Sequence, residues 1–166
     1  MNIMHTTLAL LLGCSSSLAC ATPLPDAVAA PGQALVATLE AEGAQIYQCQ
    51  PDANGKLVWT FREPIATLLL DGKTVGRHYA GPVWELADGS QIAAKVSGRA
   101  PGASPADIPL LRLDVSSQRG QGGLAHVTTV QRLETRGGVH EGACNERGTL
   151  RSVPYSAVYK FLRKAD

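Results

Sequence analysis

The sequence predicts an all-β protein, a single antiparallel β-sandwich or closed barrel of about nine short strands. Three observations carry this expectation. Hydrophobic alternation with a period of two recurs in short segments along the chain. The 17 glycines and 10 prolines among 166 residues supply many turns and leave little room for long helices. The breaks between segments fall on residues that tolerate positive φ: Asp52-Ala53-Asn54-Gly55, Asp71-Gly72-Lys73, Asp88-Gly89-Ser90 and Gly120-Gln121-Gly122-Gly123.

Taken in order, the strand candidates cover 34–40, 44–50, 56–62, 65–70, 81–86, 91–97, 111–115, 124–135 and 155–161. Leu57, Trp59 and Phe61 share one face of the third, and Ile92, Ala94 and Val96 one face of the sixth. The last is the clearest, with Tyr155, Ala157, Tyr159 and Phe161 on one side and Ser156, Val158 and Lys160 on the other. Pro64, Pro82, Pro109 and Pro154 are expected at strand starts, where a missing N–H does least harm. The stretches 97–107 and 136–153 are expected as loops.

The charge is nearly balanced, with 15 Lys and Arg against 14 Asp and Glu. Together with a charged fraction of 17%, below the usual ~25%, this argues against a disordered tail or a DNA-coating protein. From Arg119 onward basic residues predominate, but they are spread over strands and loops, as on a solvated surface and not a nucleic-acid stripe.

All the Lys and Arg residues lie at or after Lys56, and the chain opens on a short apolar run, Leu8-Ala9-Leu10-Leu11-Leu12. This run is well short of the ~20 residues of a membrane-spanning helix and is followed by small residues and prolines, so residues 1–21 read as a secretory signal. Ala19-Cys20-Ala21 fits cleavage after Ala21; Leu11-Leu12-Gly13-Cys14 offers the alternative of a lipoprotein anchored through Cys14. Residues 22–33 then form a Pro/Ala-rich linker, and 34–166 a single β domain. The expected location is periplasmic or secreted, or a lipid-anchored envelope protein. Cleavage removes Cys14 and Cys20 and leaves Cys49 and Cys144, which in an oxidising compartment predicts one disulfide.

The standard catalytic signatures are missing. No G-x-G-x-x-G, P-loop, G-x-S-x-G or H-E-x-x-H occurs, and His78, His126 and His140 follow no compact ligand spacing, so no cofactor and no metal site is indicated. His126 is expected on a strand and His140 in solvent. The segment 76–90 gathers an imidazole, a phenol, an indole and several glycines. It has two readings. His78, Tyr79 and Trp84 can rim a ligand pocket, offering flat apolar faces and a polar handle. Alternatively, Trp84 is a core anchor and His78 its hydrogen-bonded neighbour.

The order of motifs resembles the DUF3455 family, a domain of unknown function found in bacteria and fungi and usually behind an export signal. The resemblance rests on Gly43-x-Gln45-Ile46-Tyr47-x-Cys49, Trp59, Pro64-x-Ala66, Gly76-x-His78-Tyr79-x-Gly81-Pro82-x-Trp84-Glu85, Asp88-Gly89-Ser90 and Ile108-Pro109-x-Leu111. It continues through Gly123, Val127-Thr128-x-Val130-Gln131-Arg132-x-x-Thr135-x-Gly137-Gly138, Cys144 and Val153-Pro154-Tyr155-x-Ala157-x-Tyr159. Leu110 departs from it, standing where an aromatic is common. The resemblance implies a single exported domain and carries no activity, substrate or catalytic residue with it.

Two functional classes follow. One is an exported β domain that binds a small molecule or an envelope partner through the segment around His78. The other is a cell-envelope hydrolase in which His78 is the general base and Asp71 or Asp88 orients it. A purely structural surface protein, the third possibility, predicts no cavity of ligand size.

Overall fold

The computed structural model describes residues 23–165, and its strands form one closed sheet. The expected signal segment, the cleavage point after Ala21 and the lipid-bearing alternative Cys14 lie outside the described residues. Eight strands follow one another around the barrel: β1 (Gln33–Pro51), β2 (Leu57–Leu70), β3 (Lys73–Tyr79), β4 (Val83–Leu86), β5 (Gln91–Ala100), β6 (Leu110–Arg119), β7 (Thr129–Gly137) and β8 (Leu150–Lys164). Every neighbouring pair is antiparallel, and β8 closes the sheet by pairing with β1 from Gln33↔Lys164 to Gln48↔Leu150. Closure leaves no free edge along the meander, which is how an up-and-down barrel avoids unpaired backbone.

The expected strands differ from these in three ways, each with a physical cause. First, 34–40 and 44–50 are one strand, because Gly43 does not turn the chain. It lies opposite Ala66, and a Cβ there would overlap the Ile65 carbonyl oxygen and the Ala66 Cα. The glycine thus permits close backbone approach within a strand. Likewise 56–62 and 65–70 are continuous through Pro64.

Secondly, Pro64 and Pro154 lie inside β2 and β8, not at their starts, whereas Pro82 and Pro109 directly precede β4 and β6. Both interior prolines pair with β1, as Gln45↔Pro64 and Ala44↔Pro154. Each sits just beyond the pairing with its other neighbour, which for β2 begins at Ala66↔His78 and for β8 ends at Gly137↔Tyr155. Locally they are edge residues, where proline is tolerated.

Thirdly, β3 lacks strict alternation and falls outside the expected strands, while the front of 124–135 is a turn with His126 at φ 65°. Two mergers and one added strand turn nine expected strands into eight.

The barrel has two different ends. At one, the β6–β7 connection folds inward and buries Leu124 and Val127 with Leu39, Leu68, Ile92, Val130 and Phe161. Fully burying each such side chain contributes about 1.5–3 kcal/mol. Asp88 and Ser90 hold this plug: the Gly123 N–H donates to Asp88 Oδ2 at 2.7 Å and the Leu124 N–H to Ser90 Oγ at 3.2 Å. At the other end β1, β2 and β8 extend past their neighbours as a three-stranded wall. Outside the barrel, the expected linker contains a 3-10 turn, Asp26–Val28, whose Val28 is buried with Ala100 and Leu133; its carbonyl accepts from Gln131 Nε2 at 2.6 Å.

The Cys49–Cys144 disulfide is formed, with Cα atoms 5.9 Å apart. It pins the long β7–β8 connection against β1 and β2. Backbone bonds continue the attachment: the Trp59 N–H donates to the Gly142 carbonyl at 3.0 Å and the Cys144 N–H to that of Leu57 at 3.1 Å. Among the described residues no helix is long and apolar enough to cross a membrane.

Candidate functional site

The open end of the barrel encloses a cavity of about 710 Å3, and every one of the eight strands contributes to its lining. Its deep surface is aromatic. His78 and Trp84, cross-strand partners on β3 and β4, stack with ring centroids 4.5 Å apart and planes 11° from parallel. Tyr159 of β8 meets both edge-on, at 5.2 Å from His78 and 5.3 Å from Trp84. Trp59 and Phe61 on β2, Pro82 and Pro109 before β4 and β6, and Val139 and His140 of the β7–β8 connection complete the wall towards the mouth.

Tyr47 ties that connection to the barrel. Its hydroxyl donates to the Gly138 carbonyl at 2.7 Å and accepts from the His140 N–H at 3.2 Å. The His140 ring consequently lies between Tyr47 and Trp59, with centroids 5.7 and 5.5 Å away. This corrects the expectation of a solvated His140: the disulfide and Tyr47 hold its loop over the cavity. Partial desolvation lowers its pKa from the ordinary imidazole value, and Arg151 lowers it further.

His78 is buried, and its Nδ1 donates to the Val83 carbonyl at 2.8 Å. A carbonyl only accepts, so the proton resides on Nδ1 and Nε2 carries the lone pair. Burial brings the His78 pKa down to about 4, partly opposed by the Val83 hydrogen bond.

This has a measurable consequence for stability. The unfolded imidazole takes up a proton near pH 6.5 whereas the folded one resists until about pH 4, so stability is complete above pH 6.5 and falls as the pH drops through that window. Between pH 6.5 and 5, above the carboxylate range, the loss from His78 is expected to reach about 2 kcal/mol. His140 adds to it with the same sign. Urea midpoints across this interval check it; His78→Phe, which keeps a flat ring on Trp84, is expected to flatten the slope, and an unchanged slope would refute the assignment.

The carboxylates considered with His78 are elsewhere. Asp71 lies in the β2–β3 turn, at the barrel's plugged end; six residues of extended strand, roughly 20 Å, separate it from His78. Asp88 lies in the β4–β5 turn at that same end. Its carboxylate accepts from the backbone of Gly123 and from the hydroxyl and N–H of Ser90, which together hold its pKa below the ordinary range. Neither carboxylate is a hydrogen-bond partner of His78.

Of the three residues singled out as ligand contacts, His78 and Trp84 line the cavity. Tyr79, one position along the strand, faces the opposite side of the sheet, as period-two alternation requires. Its hydroxyl donates to Glu85 Oε2 at 2.8 Å, and Arg77 lies over its ring and pairs with Glu85 at 3.0 Å.

Sequence reasoning did not single out Gln45, Tyr47, Trp59, Arg132 or His140, all of which line the cavity. The available signal was parity: Gln45 and Tyr47 share the inward face of β1 with the buried Leu39, Ala41 and Cys49.

Polar atoms without partners concentrate in this site. Gln45 Nε2, Trp84 Nε1 and His140 Nε2 are buried atoms of lining residues with no hydrogen bond. Buried polar atoms are ordinarily paired, so their grouping among the residues around one cavity sets this end of the barrel apart from the rest of the core. Among the described residues no group of three His, Cys, Asp or Glu side chains is placed to hold a metal ion.

A family model described as "Protein of unknown function (DUF3455)" matches residues 30–163. No curated protein and no solved structure matches the chain. The match takes in all eight strands apart from the last residue of β8, as well as every residue lining the cavity. The chain therefore belongs to the DUF3455 family.

Proposed function

We propose that this is an exported binding protein that holds a small, largely apolar molecule inside the open end of its barrel. The observation that carries the proposal is the cavity of about 710 Å3, within the ~300–1,000 Å3 of ordinary ligand sites, with an aromatic wall and with buried, unpartnered polar atoms among its lining residues. An eight-stranded barrel is also the size at which the interior holds one small ligand. The disulfide supports export, since such bonds persist in oxidising compartments, and so does the signal-like opening of the sequence.

The hydrolase alternative draws no support from His78, whose Nδ1 proton is committed to Val83 and whose ring is stacked beneath Trp84. The Nδ1 proton that an orienting carboxylate would hold is thus given to a backbone carbonyl, and the two aspartates serve the opposite end of the barrel.

Both tryptophans of the chain line the cavity, which supplies the readout. Titrating the folded, oxidised protein with N-phenyl-1-naphthylamine is expected to quench tryptophan emission saturably, with one dye per chain and energy transfer to the dye. Unchanged tryptophan emission at saturating dye would refute the cavity as a binding site.

A further inference from the structure

The lining contains one group whose chemistry specifies more than an apolar occupant. Arg132, on β7, is cross-strand partner of Leu111 and Tyr159, two other lining residues. It is only partly exposed, and its guanidinium is clamped from one side, with Nε and Nη2 both donating to the Pro109 carbonyl at 3.1 and 2.9 Å. A guanidinium has five N–H donors, so this clamp fixes its plane and leaves others directed away from Pro109. The ion pairs among the described residues are Arg62–Glu63 and Arg77–Glu85; Arg132 has no carboxylate of its own. A half-buried cation ordinarily needs an anionic partner to offset its lost hydration.

The surroundings agree in sign. Both lining imidazoles have lowered pKa values, so the cations of the site are arginines: Arg132 within, and Arg62 and Arg99 at the exposed mouth, against the one acidic lining residue Glu141. The aromatic surfaces of Trp59, Trp84 and Tyr159 lie in the same lining. We infer that the ligand is an aromatic or otherwise apolar anion, its carboxylate or equivalent acidic group bound by the preset guanidinium of Arg132 and its apolar body held by the aromatic wall. This rests on the cavity being the binding site, and it names the chemical class that the cavity takes. Arginine suits the task because its planar fork engages an acid group through two parallel hydrogen bonds.

A matched pair of dyes tests it: 8-anilinonaphthalene-1-sulfonate carries a sulfonate on the same ring system as neutral N-phenyl-1-naphthylamine. The wild-type protein is expected to bind the anionic dye at least about tenfold more tightly than the neutral one. Arg132→Gln is expected to bring the two affinities within about threefold by weakening the anionic dye alone, while Arg132→Lys keeps the charge and a preference for the anion. Arg119→Gln, at the plugged end of the barrel, is expected to leave the preference intact and so controls for general surface charge.

A preference that survives Arg132→Gln undiminished, or equal wild-type affinities, would overturn the assignment of an anionic ligand while leaving the cavity as a binding site. Failure of both dyes to bind would overturn both readings. Should Arg132→Gln not fold, the wild-type ratio and Arg132→Lys decide alone, a wild-type ratio near one overturning the inference.

Discussion

Replacing both bridged cysteines, as Cys49→Ala with Cys144→Ala, is expected to lower the stability of the barrel by about 4–5 kcal/mol. The two cysteines are 95 positions apart, so the bridge closes most of the barrel into one loop and removes a correspondingly large set of unfolded conformations. A loss of this size corresponds to a fall in Tm on the order of 10 °C. Scanning calorimetry of the oxidised wild type, the reduced wild type and the double variant checks it; coincident transitions would refute it. The two alanines leave the native sheet intact, since the Cys49 N–H still donates to the Thr149 carbonyl and the Gly148 N–H to that of Cys49.

The same substitution reaches the proposed site. Val139, His140 and Glu141 line the cavity from the connection that the bridge fastens, and Tyr47 is left as the main side-chain tie. Affinity for N-phenyl-1-naphthylamine is therefore expected to fall alongside stability, although no half of the disulfide is a lining residue. The covalent staple and the wall of the pocket are one construction: sequence places a cysteine in the long loop, the bond restricts that loop, and the restricted loop brings His140 against Trp59 and Tyr47.

How far this was legible in the sequence depends on the range of the interactions involved. Alternation along Tyr155, Ala157, Tyr159 and Phe161 is local, and these residues are buried on one face of β8 as expected. The turns at Asp71-Gly72 and Asp88-Gly89 are also local, and both join adjacent strands. By contrast, whether Gly43 turns the chain or lets Ala66 approach depends on a strand more than twenty residues away, so the chain was divided where it runs on. The prolines of β2 and β8 follow the same logic, because an edge position exists only once both neighbours are in place.

The cavity is the least local feature of all. Arg132 sits between the buried Gln131 and Leu133, on a strand covered from outside by Val28 and its neighbours and from inside by the barrel. Only closure of the sheet brings it into one lining with Trp84 and Tyr159. Its parity with Val130 was visible, but an inward arginine is meaningful only against a cavity, and no single segment contains the cavity. The stretch 76–90 was conspicuous for its density of chemical types; strand alternation then divided it, sending His78 and Trp84 inward and Tyr79 out to Glu85.

That division makes Trp84 the most exacting test of whether the aromatic floor is scaffold, binding surface or both. Trp84→Ala is expected to cost about 3–5 kcal/mol, the range for removing a buried aromatic side chain. The indole is 1% exposed, stacks on His78 and meets Tyr159 and Phe161 edge-on, at centroid distances of 5.3 and 6.2 Å. It is carried by β4, only four residues long, which depends on side-chain anchorage more than its longer neighbours do. Trp84→Phe retains an aromatic ring and is expected to cost about 1–3 kcal/mol. Denaturant midpoints would measure both, and an alanine variant as stable as wild type would refute the anchoring role. Binding separates the second role from the first: Trp84 Nε1 is a buried donor with no partner in the fold, so removing it sacrifices no native hydrogen bond. If the phenylalanine variant remains folded yet binds the anionic dye more weakly in the same buffer, the indole serves the ligand as well as the core; retained affinity assigns Trp84 to packing alone.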